Sequence, residues 1–305
     1  HFQTEVQGSN ANTTAFEANP SQHRQGLVGT YRWHPISSPL QIQLGARQDW
    51  QDGQRSPFLP ELKIQWNQRT MRAFAHISRS FRWPTLNDRF WEPGGNPNLL
   101  PEQGWSQEVG SKWYFQHKTW SYQMGFNAFA RQSDNWIIWV PEGLFFSPQN
   151  VRTVNHWGIS PSFSTSYSIN SWRIQLKSNY HWLSAVNSQS NIPNDQSEGK
   201  QLIYVPTHQA DAQLQLDYAA WQLSYVHQWM GQIYTLGDHS QSIPAFQLAF
   251  LGLSKKWRFG QQQLHTYLQI RNIWNTDYEF VIQRPMPGRH CRVGVAYTLS
   301  SLKNN

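Results

Sequence analysis

The sequence alternates between apolar and polar residues in runs of about ten, and each run ends at a turn. In the clearest run, 172–182, the even positions are Trp, Ile, Leu, Ser, Tyr and Trp, whereas the odd positions are Arg, Gln, Lys, Asn and His. Successive side chains of a β-strand point to opposite faces, so this run has one apolar face with aromatic ends and one polar, basic face. The pattern is typical of a transmembrane β-barrel strand, which has lipid outside and a polar lumen inside. A half-buried strand of a soluble sheet alternates in the same way, so a single run does not decide between the two.

The connectors between the runs alternate between long and short along the whole chain. The runs themselves predict about 14 strands. The short connectors lie near 35–39, 68–69, 118–119, 169–170, 219–220 and 257–261. The long connectors lie near 10–22, 51–57, 80–103, 134–150, 185–202, 236–242 and 274–288. Outer-membrane barrels have short periplasmic turns at one rim and longer extracellular loops at the other, whereas a soluble sandwich or propeller has no reason for this rhythm.

We therefore expect an all-β fold, namely a transmembrane antiparallel β-barrel in the bacterial outer membrane, with residues 1–305 in a single domain. The last strand follows a long loop and ends with the chain, which predicts a periplasmic C-terminus and extracellular long loops.

The composition excludes several other classes of protein. Hydrophobic residues make up only 38% of the chain, yet 15% of it is aromatic, and disordered chains lack aromatics. No stretch approaches the roughly 18 apolar residues of a membrane-spanning helix. The single cysteine, Cys291, excludes an internal disulfide framework. The net charge is +7, but the cations alternate with apolar residues instead of clustering, which argues against a nucleic-acid partner.

Residues 76–110 resemble a segment of the TonB-dependent outer-membrane receptors. The stretch 78–88 reads S-R-S-F-R-W-P-T-L-N-D, which is similar to the family's S-x-S-F-R-x-P-T-L-x-D/E. It is followed at 96–104 by N-P-N-L-L-P-E-Q-G, where the family has N-P-x-L-x-P-E-x-S/G.

Three further stretches resemble the same family in the same order. The first, at 150–158, matches only in part, because Ser160 stands where the family has Glu. The second, 199–208, reads G-K-Q-L-I-Y-V-P-T-H and resembles G-x-x-L-P-Y-V-P-x-H. The third, near the end of the chain, includes P-M-P-G-R at 285–289 and resembles the family's final strand. The family commonly ends at an aromatic residue, whereas here Leu299 is followed by six more residues, 300–305.

The resemblance implies a barrel of about 22 strands that is filled by an N-terminal plug domain. The 14 or so strands of this chain would then be its C-terminal part, and an open barrel would leave strand edges unpaired in lipid. We therefore expect another polypeptide, or a missing segment of the same one, to supply the plug and the remaining strands. The edges that it would meet are near 1–9 and 289–299.

The resemblance also implies a function, which is energised uptake of a scarce nutrient such as cobalamin or a ferric siderophore. The implied partners are TonB of the inner-membrane energy complex, acting through the plug, outer-membrane lipid, and a surface lipoprotein. Two other classes stay open at this point, a passive 14-stranded porin and a soluble, aromatic-rich lectin-like β protein. The sequence contains no nucleophile elbow and no Gly-rich phosphate loop, so we expect a protein that is not an enzyme, and no cofactor is assigned. The twelve histidines are scattered along the chain, so no metal-binding residues are assigned either, and whether the protein binds a metal stays open.

Candidate ligand-binding residues lie in three of the long connectors, where aromatic side chains stand beside polar or charged ones. Aromatic rings with arginine suit a large planar or anionic ligand, although the same residues can simply pack the loops. The candidates are Phe81, Arg82, Trp83, Asn87, Asp88 and Trp91 in the first connector, Trp136 and Trp139 in the second, and Gln283 and Arg284 in the third. The basic face of the clearest run predicts that Arg173, Lys177 and His181 point into the lumen.

Overall fold

The computed structural model describes residues 2–10, 16, 20–190, 195–260 and 262–299, and almost all of its regular structure is β-strand. The strands are β1 (Phe2–Asn10), β2 (Ser21–Trp33), β3 (Leu40–Gln51), β4 (Gln54–Arg55), β5 (Leu59–Asn67), β6 (Met71–Arg82), β7 (Glu102–His117), β8 (Trp120–Glu142), β9 (Phe145–Ile169), β10 (Trp172–Gln189), β11 (His208–Tyr218), β12 (Trp221–Met230), β13 (Ile233–Tyr234), β14 (Ser242–Ile243), β15 (Phe246–Phe259), β16 (Gln262–Arg271) and β17 (His290–Thr298). One short helix, α1 (Leu86–Phe90), follows β6. Among the described residues, no helix is long and apolar enough to cross a membrane.

The strands form a sheet in which neighbours in sequence are neighbours in space. The sheet has 15 strands, of which β4 branches from β3, so the main path from β1 to β17 contains 14. The pairs with assigned registers along this path, from β1 to β6 and from β10 to β17, are all antiparallel. The structure therefore confirms the all-β, antiparallel fold and the expected number of strands. Strands β13 and β14 form a separate small hairpin.

Two compact units can be distinguished by their internal contacts. Unit 1 comprises His1–Ser111, Asn127–Gly158 and Ser184–Leu202, and unit 2 comprises Lys112–Phe126, Ile159–Leu183 and Ile203–Asn305. The prediction that 1–305 is a single domain stays a prediction.

Unit 2 has one apolar face, built by rows of side chains that run across strands β10, β11, β12, β15, β16 and β17. Paired residues of antiparallel strands lie on the same face. A central row consists of Ile174, Leu216, Leu223, Leu253, Leu268 and Val293. All of these side chains except Leu216 are at least a third exposed, so the row forms an accessible apolar surface.

Aromatic side chains border this apolar face at both ends of the 172–182 part of β10. At the short-turn end, Trp172 and Tyr218 are paired with ring centroids 4.3 Å apart. At the other end of the face, Tyr180 hydrogen-bonds His208, which pairs with Trp182. The expected aromatic ends of the 172–182 run are therefore present on the three-dimensional sheet as well.

Unit 1 has the same division into two faces. Tyr31, Leu44, Leu62 and Ile77 form one apolar row across β2, β3, β5 and β6. The adjacent row on the opposite face is polar and consists of Arg32, Gln43, Lys63 and His76. Alternation in sequence is thus converted into two chemically distinct surfaces.

The prediction of a long loop at 134–150 is wrong. Strand β8 continues to Glu142 and β9 begins at Phe145, so only two residues join them. The apolar run 136–140 does not alternate, which hides its strand character, although aromatic and β-branched residues favour strands. Asn135 also has φ 55° within β8, a backbone conformation that asparagine tolerates better than most residues. Arg131 and Trp136 lie on the same face, 5.6 Å from guanidinium to ring centroid, although regular alternation would separate them.

The other connectors that the structure describes follow the predicted order of short and long segments. Most of the connector predicted at 10–22 lies outside the described residues. The short turns at 118–119 and 219–220 are present, and the segment 83–101 is long and contains α1. Strand β11 begins at His208 instead of 203, because Pro206 has no N–H to donate to the ladder.

Candidate functional site

Arg82 and Glu102 form an ion pair where β6 ends and β7 begins. The guanidinium Nε and Nη2 donate to the two carboxylate oxygens at 2.7 and 2.6 Å. The Glu102 side chain is only 5% exposed, whereas that of Arg82 is 44% exposed. The hydrogen bond to Glu102 raises the pKa of Arg82, and partial burial opposes this effect. Glu102 also accepts a hydrogen bond from the backbone N–H of Ile137 in β8 at 2.8 Å, so one carboxylate links β6 to β8.

Asp88 organises the start of helix α1. Thr85 is the N-cap residue, its hydroxyl accepts from the backbone N–H of Asp88, and the Asp88 carboxylate accepts from the backbone N–H of Thr85. This reciprocal capping box satisfies two donors that a helix N-terminus otherwise leaves unpaired. The other carboxylate oxygen of Asp88 accepts from the indole Nε1 of Trp139 at 3.2 Å, and Arg82 Nη1 lies 3.5 Å from the carboxylate.

Two polar candidates of the first loop, Arg82 and Asp88, therefore lie close together. Arg82, Asp88 and Trp139 meet in one network with Glu102, which we call the Arg82 network. Trp83 is buried, at 6% exposure, and its ring packs edge-on against Phe81 with centroids 4.8 Å apart.

Asn87 and Trp91, in contrast, are exposed. Trp91 is 39% exposed and lies beside Phe16. These two residues are the first-loop candidates whose side chains stay accessible outside the Arg82 network.

The loop after α1 is attached to the β8–β9 hairpin by asparagine side chains. Asn150 accepts from the backbone N–H of Leu100 at 2.8 Å and donates to the carbonyl oxygens of Leu100 and Asn135. Asn96 donates to the carbonyl of Pro148 at 3.2 Å. The bonds of Asn150 to Leu100 and of Asn96 to Pro148 join segments about fifty residues apart and hold the loop in a defined position.

Trp136 belongs to a second cluster on the β8–β9 hairpin. Its ring lies beside that of His156, with centroids 4.8 Å apart, and beneath the guanidinium of Arg131. Trp136 is thus held by its own hairpin, and it is only partly exposed.

Gln283 and Arg284 lie in unit 2, in the connector between β16 and β17. Gln283 has φ 62° and both residues are exposed, at a turn closed by a hydrogen bond from Arg284 N to Val281 O. Both side chains are accessible to solvent. They are not part of the Arg82 network, whose residues all belong to unit 1.

Arg173, Lys177 and His181 share one face of β10, as expected. Their strand partners across the sheet are Asp217, Gln213 and Gln209, all polar. His181 Nδ1 lies 2.9 Å from the hydroxyl of Ser160, so the neighbouring strand contributes to the same polar surface.

Glu102 and Asn150 are the main participants that sequence reasoning missed as site residues. Glu102 lies in the N-P-N-L-L-P-E-Q-G stretch, and a carboxylate directly after Pro101 at the start of a strand was the signal that could have identified it. Within the described ranges, no three His, Cys, Asp or Glu side chains converge on a metal site.

Comparison with known proteins identifies one matching family and several similar proteins. Residues 2–273 match the family described as TonB dependent receptor-like, beta-barrel. The vitamin B12 transporter BtuB of Photobacterium profundum is 24% identical over 241 residues, which are 77% of this chain and 35% of that protein. BtuB of Vibrio vulnificus is 33% identical over 87 residues, which are 28% of this chain and 14% of that protein.

The fold is also similar to solved receptor structures. The ferric enterobactin receptor PfeA from Pseudomonas aeruginosa superposes with a TM-score of 0.69 at 14% identity, covering 92% of this chain and 45% of that one. At this identity the likeness shows the fold, which is part of a β-barrel, as the alternation predicted. The chain spans less than half the length of each of these relatives.

Proposed function

The chain belongs to the TonB-dependent receptor β-barrel family, and from that premise we propose that it forms the C-terminal part of an outer-membrane receptor for energised nutrient uptake. The observation that carries the proposal is the family match over 2–273, on a sheet that has one apolar and one polar face. An apolar face bordered by aromatic rings suits lipid, and a polar face suits a lumen. The match favours uptake over the passive porin and the lectin-like protein, and a transport role over a catalytic one.

We propose cobalamin or a ferric siderophore as the transported nutrient. The support is that two similar proteins are vitamin B12 transporters and that a solved neighbour is a ferric enterobactin receptor. Both kinds of ligand are large and scarce, so a receptor that concentrates them needs an energy source. The proposed source is TonB, which would act through a plug domain inside the barrel.

The proposed topology places the short turns in the periplasm and the long connectors outside the cell. The plug and the remaining strands would come from another polypeptide or from a further segment of the same one. Strands β1 and β17 end the described sheet path, each with a single strand neighbour, and pairing of these edges would satisfy their free backbone groups in lipid. A surface lipoprotein is a further proposed partner on the extracellular side.

Within the extracellular loops, we assign different roles to the candidate residues. The Arg82 network would hold the first loop in place, since its charged groups are already engaged with one another. In unit 1, the exposed side chains Asn87 and Trp91 would contact the ligand. In unit 2, the exposed side chains Gln283 and Arg284 are separate candidates for ligand contact. A ring and a guanidinium are both suited to a planar or anionic chelate.

The proposal can be tested in cells that depend on this protein. We expect a strain that lacks it to lose accumulation of radiolabelled cyanocobalamin or of a ferric catecholate at nanomolar supply. Collapse of the proton gradient, or loss of TonB, should abolish the same accumulation while the protein remains in the outer membrane. Mass spectrometry of the purified receptor should then identify the region that supplies the plug.

Uptake that is unaffected by loss of the proton gradient would contradict the proposal and favour the passive porin. Recovery of the protein in the soluble fraction without detergent would contradict both membrane functions.

A further inference from the structure

The polar face of unit 2 carries six cations in its strands, and we call this surface the cationic wall. The chained registers of β10, β11, β12, β15, β16 and β17 place all six on the face opposite the apolar row. The cations are Arg173, Lys177, Lys256, Arg258, Arg271 and Arg292. All six are exposed, and within the described residues none of them has an ion pair or a side-chain hydrogen bond to another residue.

The carboxylates of the same face accept hydrogen bonds from side-chain amides and do not pair with the cations. Asp217 stands opposite Arg173, yet its two oxygens accept from the side-chain amides of Gln215 and Gln222 at 2.9 to 3.0 Å. Asp211 accepts from the amide of Asn179 at 2.9 Å. These two are the only acidic residues in the strands of unit 2 that build the wall. The wall therefore has a surplus of positive charge that its own residues do not neutralise.

Unit 1 has close contacts between basic and acidic side chains on its polar face. On its polar face, Arg47 lies 2.7 Å from Asp49 and 3.7 Å from Glu5, and His76 Nε2 lies 3.4 Å from Glu61. Arg47 of unit 1 is thus paired with carboxylates, although Arg32 and Lys63 on the same face form no ion pair among the described residues. In the described part of unit 2, none of the six cations of the cationic wall is paired.

Enclosure of this wall would make the unpaired charge costly. A cation that loses water without gaining a partner is strongly penalised, whereas an opposite charge at hydrogen-bond distance compensates for the lost hydration. An apolar or basic surface docked here would leave six cations unpaired. A surface with aspartate and glutamate side chains would complement them.

We propose that the cationic wall is the docking surface for an acidic face of the domain that fills the barrel. This inference rests on the proposed function, which supplies such a domain, and it adds the chemistry of the contact and the strands that make it. The wall spans the rows from Arg258 at the short-turn end to Lys177 and Arg271. The acidic face would accordingly extend over the periplasmic half of the enclosed domain.

Zero-length cross-linking of the intact receptor, purified in detergent with all of its polypeptides, tests the proposal. A carbodiimide activates a carboxylate, and an adjacent lysine amine displaces the activating group to form an amide. Lys177 and Lys256 should be joined to Asp or Glu side chains of the plug-bearing region, as mapped by mass spectrometry. Lys255 is a matched control, because it neighbours Lys256 in sequence but lies on the opposite face, with its Nζ over the rings of Trp221 and Trp257. It should form no such link.

A double variant gives an independent readout. Arg173→Gln with Lys177→Gln should raise hydrogen exchange in the plug-bearing region on the order of tenfold and weaken its dependence on salt. Lys255→Gln should leave that exchange unchanged.

The outcomes separate this inference from the proposed function. If no plug-bearing region is present, the proposed function fails. If the region is present but Lys177 and Lys256 form no links to it, and the double variant exchanges like the parent, only the acidic docking face is wrong. If the double variant changes anion permeation without changing plug exchange, the wall serves small anions and the proposal is overturned.

Discussion

Arg82 and Glu102 are twenty residues apart in sequence, yet they meet through two hydrogen bonds of 2.6 and 2.7 Å. The pair joins the end of β6 to the start of β7, which are the two ends of the loop 83–101. The position of that loop therefore depends on the pair. Because Glu102 is nearly fully buried, loss of its charge affects the guanidinium and the Ile137 N–H together.

Glu102→Ala should therefore destabilise the loop region by about 1–3 kcal/mol, with the lower part of this range allowing for the solvent exposure of Arg82. Hydrogen exchange of residues 83–101 in the detergent-solubilised receptor measures the effect. Gln103→Ala is the control, since the Gln103 side chain accepts a weaker hydrogen bond from Arg79 at 3.3 Å and does not contact the Arg82 network through a hydrogen bond. Equal protection in Glu102→Ala and the parent would show that the pair does not hold the loop.

The apolar face of unit 2 predicts opposite outcomes for two adjacent positions. Leu214→Arg places a charge in the row shared with Leu176 and Tyr225, and such a charge near the bilayer centre costs about 2–4 kcal/mol. Gln213→Arg adds the same charge to the polar face and should assemble normally. The fraction of heat-modifiable protein in outer membranes measures assembly. Equal assembly of the two variants would contradict the assignment of faces.

Asp195 predicts an acid-sensitive contact in the connector between β10 and β11. Burial raises its pKa, but hydrogen bonds from Ser190, Ser197 and Asn187 together lower it below the ordinary value of 3.8. A lowered pKa in the folded state means that the contact is fully formed above the ordinary pKa and is lost as pH falls through the lowered one. Pepsin cleavage of this connector should accelerate as pH falls from about 4 to 2.

Asp195→Asn removes the ionisation, so its cleavage rate, normalised to an unrelated site, should not change with pH in this window. A parallel pH dependence in the parent and the variant would exclude Asp195 as the cause.

The exposed loop residues predict a loss of ligand affinity without a loss of fold. Trp91→Ala and Asn87→Ala should each weaken binding of cyanocobalamin or a ferric siderophore by roughly tenfold, since one good contact contributes about 1–2 kcal/mol. Isothermal titration of the purified receptor measures the affinity. Ile36→Ala is a control at an exposed residue of a short turn. Unchanged affinity in both loop variants would remove this loop from the ligand site.

Much of the fold was predictable because period-2 alternation is local. Runs such as 172–182 fix which side chains share a face, and the turns at 118–119 and 219–220 fix where strands reverse. The continuation of β8 and β9 through the predicted loop 134–150 was missed for two reasons. The run 136–140 is continuously apolar, and the positive φ of Asn135 changes which face the following side chains point to. A pattern rule detects a strand only while its two faces differ.

The site was less predictable than the fold. The loop candidates were recognised from their residue types, but their contacts depend on register between distant strands. Asp88 and Trp139 are about fifty residues apart, and no local pattern announces that the carboxylate caps a helix and also accepts an indole N–H. Residue type indicated which side chains matter, and only the fold indicated that several of them bind one another.

The aromatic residues at the two ends of the 172–182 run determine the length of the apolar surface between them. From Trp172 to Trp182 the strand rises about 33 Å, since each of its ten steps advances about 3.3 Å. At a tilt of about 40°, this corresponds to about 25 Å along the membrane normal, the height of the apolar band in such barrels. The bacterial outer membrane is thinner than average, so in the proposed topology these rings would match its two interfaces. In a thicker bilayer the same rings would be drawn below the headgroups, and the surrounding lipid would have to compress. Hydrophobic mismatch would therefore favour the outer membrane over thicker bilayers for this protein.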